Sequence, residues 1–273
     1  MIKIISVSGG KDSTCLYSWA TRKWGHDGYL AVFADTGHEH PVTLNYVRNM
    51  PDMIGGAPIH WVKSNFTERL ETRGLKSSGN TFLDLCMWKR LFPRPKMQFC
   101  TEHLKLHPIR DWVNSIRGDD EIEMFTGIRA GESKRRSCMP EQEWSNFYDC
   151  EMKRPLLRWS EKAVFNYLKR RGVPPNPLYA LGFSRVGCFP CIHANKGELK
   201  RLPDWAWERL EWYEQQIGRS FFAPGIVPGI HIPTCAQVLE WSKTLRGGRE
   251  YDLFAVQDAA DVPSCMATWG NCE

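Results

Sequence analysis

The chain has 273 residues, of which 42% are hydrophobic and 25% charged, with a net charge of +5. That is an ordinary globular composition, large enough for one α/β domain or for one domain with a smaller appendage. It excludes a membrane-spanning chain, because no stretch approaches the ~18 apolar residues a span needs. The mild positive charge permits anionic partners, nucleotides or nucleic acid, without demanding them.

The opening Met1-Ile2-Lys3-Ile4-Ile5 is too short an apolar run for a secretory leader. A soluble, cytoplasmic protein is expected, and its ten cysteines should be thiols, metal ligands or redox groups instead of a disulfide framework. Residues 2–7 read as a strand, followed by a loop at 8–13 and an amphipathic helix over 14–23. Leu30-Ala31-Val32-Phe33-Ala34 is an apolar run suited to a buried parallel strand, and it ends at Asp35-Thr36-Gly37. A helix over 41–50 starts on Pro41, and a third strand covers 59–62. This β-α-β-α-β rhythm predicts a doubly wound, mostly parallel α/β sheet.

Residues 64–100 read as a long insertion with one short helix, and 104–113 as a helix. A strand over 123–128 runs into a basic loop at 129–146. A capped helix covers 160–171, a Pro-rich connection 173–178, and a Trp-rich helix 205–216. The tail, 219–273, carries one helix near 235–245. The division expected is a nucleotide-binding domain over 1–180 and a helical, cysteine-bearing region over 181–273.

The strongest chemical signal is Ser8-Gly9-Gly10-Lys11-Asp12-Ser13. Two glycines let backbone approach an anion, successive amides and a helix N-terminus then face phosphate, and Lys11 adds a cation. Ser8 and Ser13 add hydroxyls. Asp12 would repel phosphate unless it caps the helix or holds magnesium. The spacing departs from the Walker A loop, which places four residues between its Gly and Gly-Lys. Asp35, at the carboxyl end of the second strand, is placed to hold magnesium or orient a nucleotide. His38 and His40 follow it, either as catalytic groups or as polar loop residues. Gly127 and Arg129 repeat the strand–glycine–charge layout, with Arg129 able to clamp phosphate. Lys134, Arg135 and Arg136 either extend that patch or form a solvated loop. Cys188-Phe189-Pro190-Cys191 suits a metal, an iron–sulfur cluster or a redox dithiol. Further ligands could come from Cys100, Cys138, Cys150, Cys265 or Cys272.

Taken together, these pieces resemble the phosphoadenosine phosphosulfate (PAPS) reductase family of the PP-loop superfamily. The resemblance spans roughly residues 5–195. In order it runs through the loop at 8–13, Phe33 to Gly37, Cys100-Thr101-Glu102-His103-Leu104-Lys105, and Thr126 to Arg129. It continues through Arg154-Pro155-Leu156-Leu157-Arg158-Trp159 and Asn176-Pro177-Leu178-Tyr179 to Cys191. The reductases usually carry a degenerate phosphate loop. The loop here is complete, as in the ATP-using members, which include sulfur-transfer enzymes of DNA phosphorothioation and tRNA thiolation.

The resemblance implies an adenine nucleotide, ATP or else PAPS or adenosine phosphosulfate (APS). It implies magnesium, a homo-oligomer, and either a nucleic-acid acceptor or a thioredoxin-like reductant. Lys11 and Arg129 would neutralise the leaving pyrophosphate, with Asp35 placing magnesium. Cluster-bearing APS reductases have a Cys-Cys pair where this chain has Cys100-Thr101, so Cys100, Cys188 and Cys191 match three of four ligands of a 4Fe-4S cluster. Cys265 and Cys272 form a second pair that could complete a four-thiolate site, for iron–sulfur or zinc. The reductases end in a segment supplying a nucleophilic cysteine. Cys272 could take that part, although Gly270-Asn271-Cys272-Glu273 is not that segment. A non-enzymatic nucleotide-sensing or zinc-stabilised module is the remaining reading.

Overall fold

The computed structural model describes residues 1–244. Six strands form one sheet in the order β3-β2-β1-β4-β6-β5. They are β1 (Ile2–Val7), β2 (Leu30–Ala34), β3 (Ile59–Val62), β4 (Ile122–Phe125), β5 (Gln142–Ser145) and β6 (Cys150–Lys153). All neighbours pair in parallel except β5, which runs antiparallel to β6 at one edge. The expected doubly wound, mostly parallel α/β sheet is therefore present. In the centre, Ile5 stands level with Ala31 on one side and Phe125 on the other.

The chain winds from β1 through β2 to β3 in one direction and resumes with β4 on the other side of β1. The order thus reverses between β1 and β4, and a crevice opens beyond their carboxyl ends. Both faces of β1 are covered, which is why it reads as a nearly continuous apolar run. Ile5 and Val7 pack against Leu16 and Ala20 of α1 (Lys11–Trp24), Val47 and Met50 of α2 (Pro41–Ile54), and Val164 and Leu168 further along the chain. On the other face Ile4 joins Val32, Ile109, Val113 and Met152. A third core joins Phe66, Phe82, Leu85 and Leu104 to Leu178, Phe189, Trp207, Leu210 and Tyr213.

The region 64–100 departs from the expected insertion with one short helix. It holds two helices, α3 (Thr67–Glu71) and α4 (Thr81–Lys89). Phe82, Leu83, Leu85 and Cys86 are fully or almost fully buried there. Its Lys, Arg, Ser and Gly residues hid short apolar runs that build a core with the C-terminal helices. From residue 99 the chain is continuously helical through α5 (Phe99–Thr101), a π-helical turn (Glu102–Leu106) and α6 (His107–Arg117).

β4 stops at Phe125, short of the expected 128, and the supposed loop at 129–146 holds α7 (Lys134–Ser137) and β5. Arg136 is buried and ion-paired to Glu132, so it is not part of a solvated basic loop. Cores tolerate such a charge when a carboxylate meets it. β6 was not anticipated either: Cys-Glu-Met-Lys is too short and too charged to show a strand period, and it is recruited by pairing with β4 and β5.

Later helices fall close to expectation. α8 (Glu161–Arg170) is capped by the Ser160 side chain, which accepts from the Ala163 amide. α9 (Lys196–Lys200), α10 (Asp204–Ile217) and α11 (Cys235–Lys243) follow. Among the described residues no helix is long and apolar enough to cross a membrane.

Ile5 sits in the middle strand with no exposed surface. Ile5→Ala is expected to lower the unfolding free energy by about 2–5 kcal/mol in urea denaturation, the range for emptying a buried aliphatic site.

Candidate functional site

The loop after β1 enters α1 earlier than expected: Lys11 is already the first helical residue, so Lys11, Asp12 and Ser13 form the helix's first turn. Gly9 has φ +75, and a Cβ there would lie 2.8 Å from the Thr43 side chain and 2.9 Å from that of Val47. Glycine is needed for both reasons. The Ser8 amide donates to Ser13 Oγ at 3.0 Å, and the Lys11 amide donates to Tyr179 Oη at 2.9 Å. The amides of Gly10, Asp12 and Ser13 make no hydrogen bond to the described residues. They belong to residues lining one open cleft. Three open amides at a helix N-terminus form an anion-binding corner.

Four charges surround this corner. The Lys11 ammonium lies 3.0 Å from Glu161 and 3.6 Å from Asp12. Burial opposes its charge, but Asp12, Tyr179 and Glu161 outweigh that and hold its pKa above the usual lysine value. Arg129 Nε donates to Asp12 Oδ1, and its side chain is only 6% exposed. Here too burial is outweighed, by Asp12 and Glu132, and the pKa rises. Arg129 thus lies behind Asp12 and is absent from the cleft's lining. Asp12 neither caps the helix by a side-chain hydrogen bond nor stands alone. It is the shared counter-ion of the two cations.

The end of β4 fits closely against the loop. A Cβ on Gly127 would lie 2.9 Å from the Asp12 carbonyl carbon and oxygen. On the other side the buried Asn176 amide donates to the Gly9 carbonyl at 3.2 Å and to Thr43 Oγ1 at 3.3 Å. Asn176 and Tyr179 therefore hold the loop from a segment 167 and 168 residues away.

Asp35 is turned elsewhere. Its Oδ1 accepts from the Gly37 amide at 2.9 Å, its Oδ2 lies 3.7 Å from Lys63, and it does not line the cleft. The two residues after Thr36-Gly37 have a different part. His38 is 1% exposed and stacks on Phe82 with ring centroids 4.2 Å apart. It is a core residue and not a polar loop group. Its Nε2 lies 3.0 Å from the Pro190 carbonyl, and its own carbonyl accepts from the Phe189 amide at 2.6 Å. Glu39 is bridged to Cys188 by antiparallel pairing. Its buried carboxylate accepts from the Thr36 and His38 amides, and burial raises its pKa. The Cys188–Cys191 turn is thus docked on the loop that leaves β2.

Cys188 and Cys191 line the phosphate cleft. With Cys100 and Thr101 they also line an adjoining smaller cavity. Three predicted ligands, far apart in sequence, converge there. Cys138 is exposed and Cys150 is buried within the sheet, and neither lines that cavity. Cys265 and Cys272 lie outside the described residues.

Sequence reasoning assigned no role to Glu161, Asn176, Tyr179 or Glu39. The signal for the middle two was present, because Asn-Pro-Leu-Tyr was among the matched segments. Glu161 looked like a first-turn helix acid and nothing more.

A mostly parallel sheet with an open anion corner at its switch point is a doubly wound α/β fold with an anion-binding crevice. The chain belongs to the phosphoadenosine phosphosulfate reductase domain family, whose model matches residues 3–194. It is 35% identical to an uncharacterized 37.8 kDa protein of Escherichia phage 186, over all of this chain and 97% of that protein. It is 35% identical to the adenosine 5'-phosphosulfate reductase of Allochromatium vinosum, over 48% of this chain and 49% of that enzyme. It thus aligns with only about half of that reductase. Among solved structures, PAPS reductase from Candida auris, in a phosphate complex, superposes with a TM-score of 0.50 at 17% identity, covering 70% of this chain and 83% of that one. That likeness supports the fold.

Burial, with the charge of Arg209, holds the His38 pKa well below the ordinary imidazole value. The folded chain keeps His38 neutral while the unfolded chain takes up a proton near pH 6.5. Stability is therefore expected to fall as pH drops below about 6.5. His38→Gln should make that slope shallower in thermal melts recorded from about pH 7.5 to 5.5 (roughly one unit either side of the unperturbed histidine pKa).

Proposed function

We propose that this chain binds ATP in the cleft between β1 and β4 and cleaves it to AMP and pyrophosphate, activating an acceptor for sulfur transfer. One observation carries the reading: a complete phosphate loop whose Gly10, Asp12 and Ser13 amides are open beside Lys11. In the step proposed, an acceptor nucleophile attacks the α-phosphorus. The bond to the bridging oxygen breaks, pyrophosphate leaves with that electron pair, and the acceptor carries the AMP group until a sulfide-level sulfur nucleophile from a donor displaces it, AMP leaving with the electron pair of the broken bond. The open amides and Lys11 bind the charge growing on the leaving group, the usual task of fixed dipoles and cations in such transfers. Nucleotide phosphate would displace Glu161 as partner of Lys11. Arg129, behind Asp12, sets the charge of the corner without touching phosphate. Magnesium would arrive with the nucleotide; Asp12 and Glu132 are carboxylates lining the cleft, and Glu161 stands beside Lys11. Asp35, held by Lys63, shapes its own turn.

Cys100, Cys188 and Cys191 fit part of a thiolate site, because they share one cavity wall. They would hold an iron–sulfur cluster or zinc, with a fourth ligand from Cys265 or Cys272. A cluster supplies a redox-capable centre beside the nucleotide, whereas zinc supplies a rigid staple.

The second reading is sulfonucleotide reduction, favoured by the likeness to the Allochromatium reductase and by cysteines at the cleft. It requires sulfite release with a thioredoxin-like reductant and loss of turnover in Cys272→Ser.

The test is α-labelled ATP incubated with anaerobically purified full-length protein and with DNA or tRNA as acceptor. Pyrophosphate and labelled, adenylated acceptor are expected, with AMP released once sulfide is added, and Lys11→Ala should lower kcat/KM by about 10²–10³-fold. Intact ATP binding without either product refutes adenylation, and sulfite formed from APS or PAPS would establish the second reading.

A further inference from the structure

The helical stretch that begins at Cys100 has two chemical faces. Cys100, Thr101, Leu104 and Lys105 line the cysteine cavity. His103 and His107 line a different cleft, together with Ser64 and Asn65 from the loop after β3. The π-helical turn, Glu102–Leu106, contributes Leu104 and Lys105 to one face and His103 to the other. The His107 amide donates to the Glu102 carbonyl, an i to i−5 bond, which sets residue 102 beside residue 107. His103 and His107 are four apart, a spacing that stacks side chains on one helical face.

We propose that Glu102, His103 and His107 form a binding site for a zinc-class divalent transition metal, separate from the cysteine site. Ring nitrogens of both histidines and a carboxylate oxygen of Glu102 all lie within 4.8 Å of one another. His107 Nε2 is 3.5 Å from Glu102 Oε1, and the two imidazole centroids are 5.1 Å apart. His103 is 9% exposed, and its buried Nδ1 has no hydrogen-bond partner. A buried ring nitrogen left unpaired is costly unless something binds it. Two imidazoles and one carboxylate select zinc, cobalt or nickel over calcium or magnesium, and they leave a coordination position for water.

The surroundings bear on the affinity. Burial, then Lys89, His107 and Arg69, lower the His103 pKa to about 4, so its lone pair is available at neutral pH. The same cations oppose a divalent ion. Two are engaged elsewhere: the Arg69 guanidinium and the Lys89 ammonium lie 4.7 Å and 4.1 Å from the Trp88 ring centre. Arg110, near His107, is paired with Asp111 at 3.0 Å. The site is therefore of moderate affinity and exchangeable, unlike a closed four-thiolate site.

The site is tested on the full chain carrying Cys188→Ser and Cys191→Ser, stripped with chelator and titrated with zinc by calorimetry. One saturable equivalent is expected, weakened about tenfold or more by His107→Ala or Glu102→Gln in protein with unchanged circular dichroism. Proton–nitrogen spectra of the unmutated chain give a second readout that needs no variant. Zinc should shift the ring signals of His103 and His107 and leave those of His26, His60 and His231 in place. Absence of saturable binding, binding indifferent to both substitutions, or unmoved signals from His103 and His107 would overturn the site.

Discussion

A helix N-terminus that presents open amides and a buried lysine to solvent must keep its charge balanced when no anion is bound. In this chain Asp12 carries most of that burden, with Lys11 on one side and Arg129 on the other, and Glu161 completes the set. Removing one member of such a set would leave an unpaired charge in a poorly solvated place. Much of the architecture around the crevice follows from this. The loop after β4 must come close enough to bring Arg129 to Asp12, and Gly127 permits that approach. The start of α8 must face Lys11, so that Glu161 reaches it. An incoming phosphate can replace Glu161 without disturbing the deeper Asp12–Arg129 pair.

The cysteine turn is bound to this crevice by hydrogen bonds and packing. His38 and Glu39 hold the backbone of Cys188 to Pro190, and Arg209 donates to the Phe189 carbonyl. Trp205 stacks on Phe189 from α10, so the Trp-rich helix packs against the turn. The cysteine turn therefore sits at a fixed place relative to the crevice. A proposed reaction that joins an activated phosphate to sulfur chemistry needs that fixed geometry.

The centre of the sheet was legible because β1 and β2 are apolar runs ended by Ser-Gly-Gly and Asp-Thr-Gly, and each precedes an amphipathic helix. The phosphate loop was legible because glycine spacing and a lysine state its chemistry locally. The strands β5 and β6 were not. Gln-Glu-Trp-Ser and Cys-Glu-Met-Lys have no period of their own; β6 becomes a strand by pairing with β4, and β5 at the edge by pairing with β6. The counter-ion roles of Asp12 and Glu161 were hidden for a related reason. A carboxylate 150 residues from its partner Lys11, like Glu161, reveals that partner only when the chain folds. His38 was misjudged because a histidine beside Gly37 and Glu39 looks solvent-facing, while the stacking ring of Phe82 lies 44 residues on. Cys100, Cys188 and Cys191 line one cavity, and they are the three residues that the family resemblance had named together.

The account rests on the loop at Ser8 to Ser13 binding the phosphates that leave as pyrophosphate. Calorimetric titration with inorganic pyrophosphate and magnesium, alone and against ATP, examines this directly. The account predicts saturable pyrophosphate binding that competes with ATP and is lost in Lys11→Ala. ATP binding that pyrophosphate fails to displace, or pyrophosphate binding that survives Lys11→Ala unchanged, would contradict it.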